Sequence, residues 1–404
     1  MRRFSRILLL PFLTRHKRGV ATDRGVAIIT AILVVAMMVI FTSDMIINST
    51  VSLQLAASTR DNVKAEYMAK SGLNLAIFLL QADWGTDLAT FQATGGQTMP
   101  SDGPDDLWGK LNGMPIGGSS MAMMAQTEET FDLNKVNDSG VIDQLKLFDG
   151  EFTIEVADEK SRININHCFK GQAFECEYLL KALLSCPAER AFLEKRKIKA
   201  DELFANVKDW VDEDETPGPA SGNSSEQDPY EGRDPKVRPK NAPFDSLEEL
   251  KLVAGWDDDL YKIFSPYLTV YPYQETEGKF PDKPFVNINS AARELVACLL
   301  PQTNFASAEK ASMWFDPPPN KLKADQANSL ERINQMAAEL FGEGDKERTK
   351  YFTYLSDTYR VTVKGEVGDT TRTLVAVVQR KFPTDEEKKA GLKTTYKILH
   401  FKML

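Results

Sequence analysis

The densest concentration of potential chemistry in this chain is acidic. Asp209-Trp-Val-Asp212-Glu-Asp214-Glu215 crowds carboxylates onto the end of a helical pattern, and Glu226-Gln-Asp228 adds two more beyond a stretch rich in Pro, Gly and Ser. Such a set could fold around Ca²⁺, which takes roughly six to eight oxygens from carboxylates and carbonyls. The spacing is not that of an EF-hand, because Pro217 stands where the invariant Gly belongs and Asn223 fills the twelfth position. On the residues alone a solvated acidic loop is the weightier reading, and a calcium site remains open beside it. Acid–base work by Asp212 and Asp214 is disfavoured for the same reason, since acids in a hydrophilic loop are mostly solvated.

Four cysteines, Cys168, Cys176, Cys186 and Cys298, allow three pairings. Short spacing favours Cys168 with Cys176 and leaves Cys186 with Cys298; four free, buried thiols are the alternative. A metal site fails on spacing, with no Cys-x-x-Cys and only His167 nearby. The other histidines are His16 and His400. No nucleophile elbow, zinc-protease helix or phosphate-binding glycine loop is present, so the sequence reads as a non-enzyme.

The elements that position these residues begin with a basic leader. Arg2, Arg3, Arg6, Arg15, Lys17, Arg18 and Arg24 face a single acid, Asp23, within residues 1–25, although the whole chain of 404 residues carries a net charge of −9. The acidity after the leader argues against a nucleic-acid backbone as main partner. From Val26 to Phe41 the only polar side chain is Thr30, and with Thr42 and Ser43 the run approaches the roughly 20 residues a spanning helix needs. Basic residues before an apolar run keep the leader in the cytoplasm and send the rest across the inner membrane. No small-residue cleavage site follows, as a secretory signal would require. The pattern instead continues through Met68, Leu73, Ile77 and Leu80, which predicts one helix from Val26 to about Ala82, embedded first and amphipathic afterwards.

Beyond that helix, residues 84–140 read as loops, with turn signals at Gly95-Gly96, Asp102-Gly103-Pro104 and Gly117-Gly118. Strict alternation marks strands at Glu151–Ala157, Tyr359–Val367, Arg372–Gln379 and Thr395–Phe401, the middle two joined as a hairpin at Gly368-Asp369. Between the first and second strand lies a helical middle section. Asn164-Ile-Asn166 precedes a helix at Phe174–Leu184, and Asn287-Ile-Asn289 precedes another at Ala291–Leu300, the last Asn of each placed to cap. Ser246-Leu-Glu-Glu249 is a capping box opening a helix, Gly turn and helix. That unit has a DNA-binding counterpart, the helix-hairpin-helix. Here Asp257, Asp258 and Asp259 stand where a phosphate would sit and would repel it.

Arg24-Gly25 followed by an unbroken apolar helix resembles a type IV prepilin, which implies cleavage between Gly25 and Val26 and N-methylation of Val26 by a prepilin peptidase. Most members carry Glu at the fifth mature position. The Thr30 found here resembles the K pseudopilins of type II secretion, as do the ordered Asn-Ile-Asn, Asp-Trp-Val-Asp, Leu-Glu-Glu-Leu-Lys-Leu-Val-Ala-Gly and Val-Asn-Ile-Asn-Ser-Ala-Ala motifs. The resemblance implies an α+β fold: a long transmembrane and amphipathic helix on an antiparallel pilin-like sheet, with a large helical domain inserted into the sheet. The expected divisions are a leader 1–25, a helix 26–83 with its membrane part at 26–43, the first part of the α/β domain 84–165, the insert 166–350 and closing strands 351–404. It further implies Ca²⁺ bound by Asp212, Asp214, Glu226 and Asp228 with Asp209 in reserve, minor pseudopilins I and J as partners, and a body in the periplasm. A signal-anchored periplasmic DNA-binding protein is the alternative reading.

Overall fold

The computed structural model describes residues 23–96, 100–117, 150–167, 174–218, 222–234, 236–272, 286–299, 352–382 and 394–404. Helix α1 runs Asp23–Ala93, 71 residues. Its portion up to Asp61 is a unit of its own, and the rest of the chain from Asn62 forms the other. In the first unit the side chains from Val26 to Phe41 are all exposed, and the most apolar window of the helix has a mean hydropathy of 2.7. The hydroxyls of Thr30, Thr42, Thr50 and Ser52 each donate to a carbonyl four residues back, so these side chains are satisfied inside the helix without water.

The helix continues about three turns past the expected stop near Ala82, to Ala93, through residues that the sequence reads as loop. Thr86 and Thr90 bond back to Ala82 and Thr86. The stop comes at the Gly95-Gly96 pair, whose φ of +64° and +86° permits a left-handed cap. There the Gly96 amide donates to the Phe91 carbonyl at 2.8 Å.

The elements after α1 are α2 (Leu107–Lys110), β1 (Pro115–Gly117), β2 (Glu151–Asp158), β3 (Ile163–Asn164), α3 (Phe174–Leu184), α4 (Pro187–Lys195), α5 (Ala200–Val211), α6 (Asp258–Phe264), β4 (Leu268–Thr269), β5 (Val286–Asn287), α7 (Arg293–Leu299), β6 (Phe352–Thr353), β7 (Thr358–Val367), β8 (Thr370–Lys381) and β9 (Thr395–Met403). Five strands form one antiparallel sheet in the order β1-β2-β7-β8-β9. Because β2 pairs directly with β7, as in Val156 opposite Val361, everything between them is an insertion into a sheet that closes without it.

Alternation along β8 assigns its two faces. Leu374, Ala376 and Val378 belong to the core under α1, whereas Val377 belongs to the core of the insert. The α1 face is built for close approach. Ala65, Ala69 and Ala76 are fully buried, and Gly72 lies in the same stripe at helical spacing. A Cβ on Gly72 would meet Val363 Cγ1 at 2.4 Å, and one on Gly365 of β7 would meet the Ala65 carbonyl oxygen at 2.3 Å. The backbones of helix and strand are therefore nearly in contact.

The insert shows an internal repeat. Each Asn-Ile-Asn begins in a two-residue strand that pairs in parallel with a later one, β3 with β4 and β5 with β6. In both, the first Asn folds the turn: Asn164 accepts from the Asn166 amide and Asn287 from the Asn289 amide, each at 3.0 Å. In both partner strands a Thr accepts from an amide two residues on, Thr269 from Tyr271 and Thr353 from Leu355. The expected cap at Asn166 is thus corrected. Its amide donates to the carbonyls of Phe244 and Val270, and its oxygen accepts the Phe244 amide. Ser246 does open a capping box, but residues 247–252 wind as a 3₁₀ turn before Gly255, at φ +80°. A disulfide joins Cys186, at the start of α4, to Cys298 in α7 across 112 residues of sequence. Cys168 lies outside the described residues, and Cys176 falls in α3.

One buried ion pair ties these parts together. The Arg380 guanidinium, 0% exposed, donates to both oxygens of Asp102, at 3.0 and 3.3 Å. Asp102 also accepts from the Tyr359 hydroxyl and the Ser356 amide, while its carbonyl accepts from Asn287 at 3.0 Å.

Two outcomes follow for urea unfolding of the full chain in detergent micelles. Gly365→Ala should lower stability by about 1–3 kcal/mol, because helix and strand must separate to admit the methyl group. Asp102→Asn should cost about 3–5 kcal/mol by leaving a buried guanidinium unpaired.

Candidate cation site in the inserted helical domain

Helix α5 is amphipathic, with Leu203, Phe204, Val207, Trp210 and Val211 buried. Trp210 packs against Tyr230 and Phe244, with ring centroids 6.0 and 6.3 Å away. That packing draws the segment around Tyr230 onto the end of α5. Asp209 sits on the last turn at 3% exposure, and Asp212 is three residues on, at the helix end. The chain then folds back so that the Gly218 amide donates to Asp209 Oδ1 at 2.9 Å. Space there is tight, since a Cβ on Gly218 would lie 3.1 Å from that oxygen.

Glu226 closes the site from the returning loop at 4% exposure. Asp209, Asp212 and Glu226 each offer a carboxylate oxygen, all within 4.8 Å of one another. Oxygens bound to one Ca²⁺ at about 2.3–2.6 Å lie no farther apart than roughly that. Asp212 Oδ1 and Glu226 Oε1 are buried with no hydrogen-bond partner. Lys208 Nζ, 4.0 Å from Asp212 Oδ2, is largely solvated and offsets little of the charge.

Electrostatics reflect this crowding. Burial, with Asp214 next, pushes Asp212 up to about 6. Burial, then the charges of Asp209 and Asp212, raises Glu226 to about 7. Asp209 is raised by burial too, against the pull of the Gly218 amide. Buried carboxylate oxygens without donors are a donor set for a hard cation. The residues present therefore fit Ca²⁺, which Asp209, Asp212 and Glu226 would hold through their carboxylates.

The set differs from the sequence expectation at two positions. Asp228 is exposed and folds its own loop, accepting from the amides of Ser224 and Ser225 and from the Ser225 hydroxyl; those donors hold its pKa below the usual carboxylate value. Asp214 is exposed and accepts from the Thr216 amide. Asp209, held in reserve, takes their place. The signal for it was helical phase: residues three apart share a face, so Asp209 and Asp212 point the same way.

At the Gly255 turn, Asp257 caps α6 by accepting the amides of Asp259 and Leu260 and pairs with Arg196. A carboxylate thus occupies the helix N-terminus that a phosphate would need. Gly25 and Val26 are consecutive residues of α1 in the first unit.

The fold defines a class: an α+β subunit in which a long amino-terminal helix, apolar at its start, packs by its later turns on an antiparallel sheet interrupted by a helical insert. Residues 161–273 match the family model described as type II secretion system (T2SS), protein K. "Type II secretion system protein K" of Klebsiella pneumoniae is 27% identical over 251 residues, 61% of this chain and 62% of that protein. The protein of the same name from Pectobacterium carotovorum subsp. carotovorum is 27% identical over 206 residues, covering 48% and 60%. The chain thus spans about three fifths of the length of these curated relatives. Among solved structures, the GspK-GspI-GspJ complex from the enterotoxigenic Escherichia coli type 2 secretion system contains a chain with TM-score 0.55 and 13% identity, covering 86% of this chain and 99% of that one. That likeness is one of fold. By these matches the chain is similar to type II secretion system K proteins over the first part of its insert and resembles one of them in fold.

The raised acids set a pH dependence for the cation-free protein. Asp212 titrates from 3.8 unfolded to about 6 folded, and Glu226 from 4.5 to about 7. The folded state therefore holds more protons across that window, and stability falls as pH rises from about 4 to about 7. Denaturant midpoints measured in chelator should show this decline, and Asp212→Asn/Glu226→Gln should flatten it.

Proposed function

We propose that this chain is a minor pseudopilin of the type II secretion system, working at the tip of the pseudopilus. The reading rests most directly on one observation: β2 pairs with β7 across an insert of nearly two hundred residues. A subunit carrying such a bulk on its sheet is poorly suited to the interior of a helical filament and well suited to its end. The family match over 161–273 lies in that insert.

In this proposal the chain is an assembly and recognition component with no chemistry of its own. The basic leader stays cytoplasmic, the apolar start of α1 spans the inner membrane once, and the body stands in the periplasm. A peptidase reads the leader and cuts between Gly25 and Val26, after which Val26 is N-methylated. Thr30 supports a tip position. Its hydroxyl is spent on the carbonyls of Val26 and Ala27, leaving no charge in the bilayer to pair with a neighbour's amino terminus. Minor pseudopilins I and J are the partners proposed for α1 and the sheet; the related structure named above contains a GspK chain together with GspI and GspJ. Their assembly would draw α1 partly out of the bilayer and start polymerisation beneath it, so that folded proteins can be exported across the outer membrane. Ca²⁺ held by Asp209, Asp212 and Glu226 would cross-link the end of α5 to the loop carrying Glu226 and relieve the charge gathered there.

Two measurements test this. After co-expression with a prepilin peptidase, the amino-terminal peptide should be N-methylated and begin at Val26; a full-length terminus, or a cut beyond Ser43, argues for a plain signal anchor instead. Calcium at about a hundred times its dissociation constant should stabilise the fold by roughly 2.7 kcal/mol. Calorimetric melting should show that gain in the native chain and not in Asp212→Asn/Glu226→Gln.

A further inference from the structure

A second concentration of carboxylates, separate from the candidate cation site, lies where the last turns of α1 meet the loop at 100–107. Asp83 on α1 is 6% exposed; its Oδ1 accepts the Leu107 amide at 3.1 Å, and its Oδ2 is buried with no hydrogen-bond partner. Asp87, one turn later, accepts the Ser101 amide. Asp106 turns back to accept the Gly103 amide at 2.5 Å, with Asp83 the charge that most affects it. The Leu107 and Ser101 amides thus tie the loop to the tail of the helix, alongside the packing of Trp108 in the core under α1, and Asp106 sits close enough to Asp83 for the two charges to repel.

Charge at this junction is lopsided. Asp102 faces the three acids from the same loop, Arg380 from β8, and the uncharged phenol of Tyr396 from β9. Arg380 is the cation among these groups, and its guanidinium is committed to both oxygens of Asp102 and stacked on Trp84 at 4.8 Å. Among the described residues, Asp83, Asp87 and Asp106 have no counter-charge of their own. Metal is not the natural remedy. Among the described residues, the carboxylates that converge within 4.8 Å as a group of three are those of the site in the insert. A surplus spread more widely, buried at Asp83 and half-buried at Asp87 and Asp106, is neutralised one carboxylate at a time, and a proton on Asp83 Oδ2 would make a donor of that unpartnered atom.

We propose that Asp83, Asp87 and Asp106 form a proton-operated clasp, which holds the end of α1 against the sheet domain when protonated and loosens it as the acids ionise. The working range is the one that burial and mutual repulsion set, with Asp87 raised to about 6, Asp83 to about 7 and Asp106 to about 8. All three lie above the usual 3.8, so the attachment is strong at low pH and weakens as pH climbs through about 6 to 8.

Hydrogen exchange read by mass spectrometry on the full chain in detergent micelles, with rates corrected for intrinsic pH dependence, tests this. Going from about pH 6 to about pH 8.5 in saturating calcium, peptides covering 80–93 and 100–110 should lose protection by about tenfold or more, one pKa unit being a factor of ten. Peptides from β7 and β8 should change less. Asp83→Asn and Asp106→Asn, singly and together, should flatten the response. Equal protection of the wild-type peptides at both pH values overturns the proposal, and this arm stands by itself if a variant does not fold. An undiminished response in folded variants overturns it as well. So does recovery of protection at about pH 8.5 on adding calcium to Asp212→Asn/Glu226→Gln, which would make the cluster a metal site.

Discussion

The fully buried pair of Arg380 and Asp102 is the interaction on which the rest of the body depends. A guanidinium cannot shed its charge, so once β8 carries it into the interior it must be paired, and its donors dictate what gathers around it. Asp102 brings the loop after α1, Tyr359 and Ser356 bring the start of β7, and Asn287 brings the second Asn-Ile-Asn of the insert. Helix, sheet and insert therefore meet at a polar point, although each has its apolar contacts elsewhere. Polar satisfaction specifies the junction; the two hydrophobic cores on either side of the sheet provide most of the burial.

The sheet carries two loads because its strands alternate. One face takes α1 through a stripe of Ala and Gly so close that a single methyl group on Gly365 collides with helix backbone. The other takes a helical insert in which both Asn-Ile-Asn segments enter a two-residue parallel pairing, with the same local turn bonds to the Asn and to the partner strand's Thr. Such short pairings contribute little by themselves. The disulfide from Cys186 to Cys298 adds a covalent tie between the start of α4 and α7, of the kind that persists in an oxidising compartment.

Two acidic clusters in the same chain differ in what can neutralise them. At the end of α5, three carboxylate oxygens converge on one point and two of them have no donor, which suits a cation whose ligands crowd around it. Beside Arg380 the acids are spread along a helix end and a loop, and protons suit that arrangement. In both places desolvation raises the acids towards neutrality; only the spacing of the oxygens separates the two cases.

Much of this was legible in the amino-acid order, because periodicity is local. The leader with its basic residues, the apolar run from Val26, the alternating strands and the hairpin at Gly368-Asp369 are read from neighbours a few positions apart. That a helical section lies between strands follows from the order of those segments; the α+β class and its insertion into one sheet were what the resemblance to K pseudopilins implied. Other features depended on which distant residues the fold brought together. Asp209 displaced Asp228 at the candidate cation site because α5 turned it inward, while the serines beside Asp228 claimed that side chain for their own loop. Asn166 became a buried cross-link to Phe244 and Val270, not a cap, and α1 ran on to the Gly95-Gly96 stop. The amino-acid sequence by itself determined the elements and their faces. Tertiary structure decided which carboxylates share a site, because desolvation and convergence exist only once segments far apart in the chain have closed on one another.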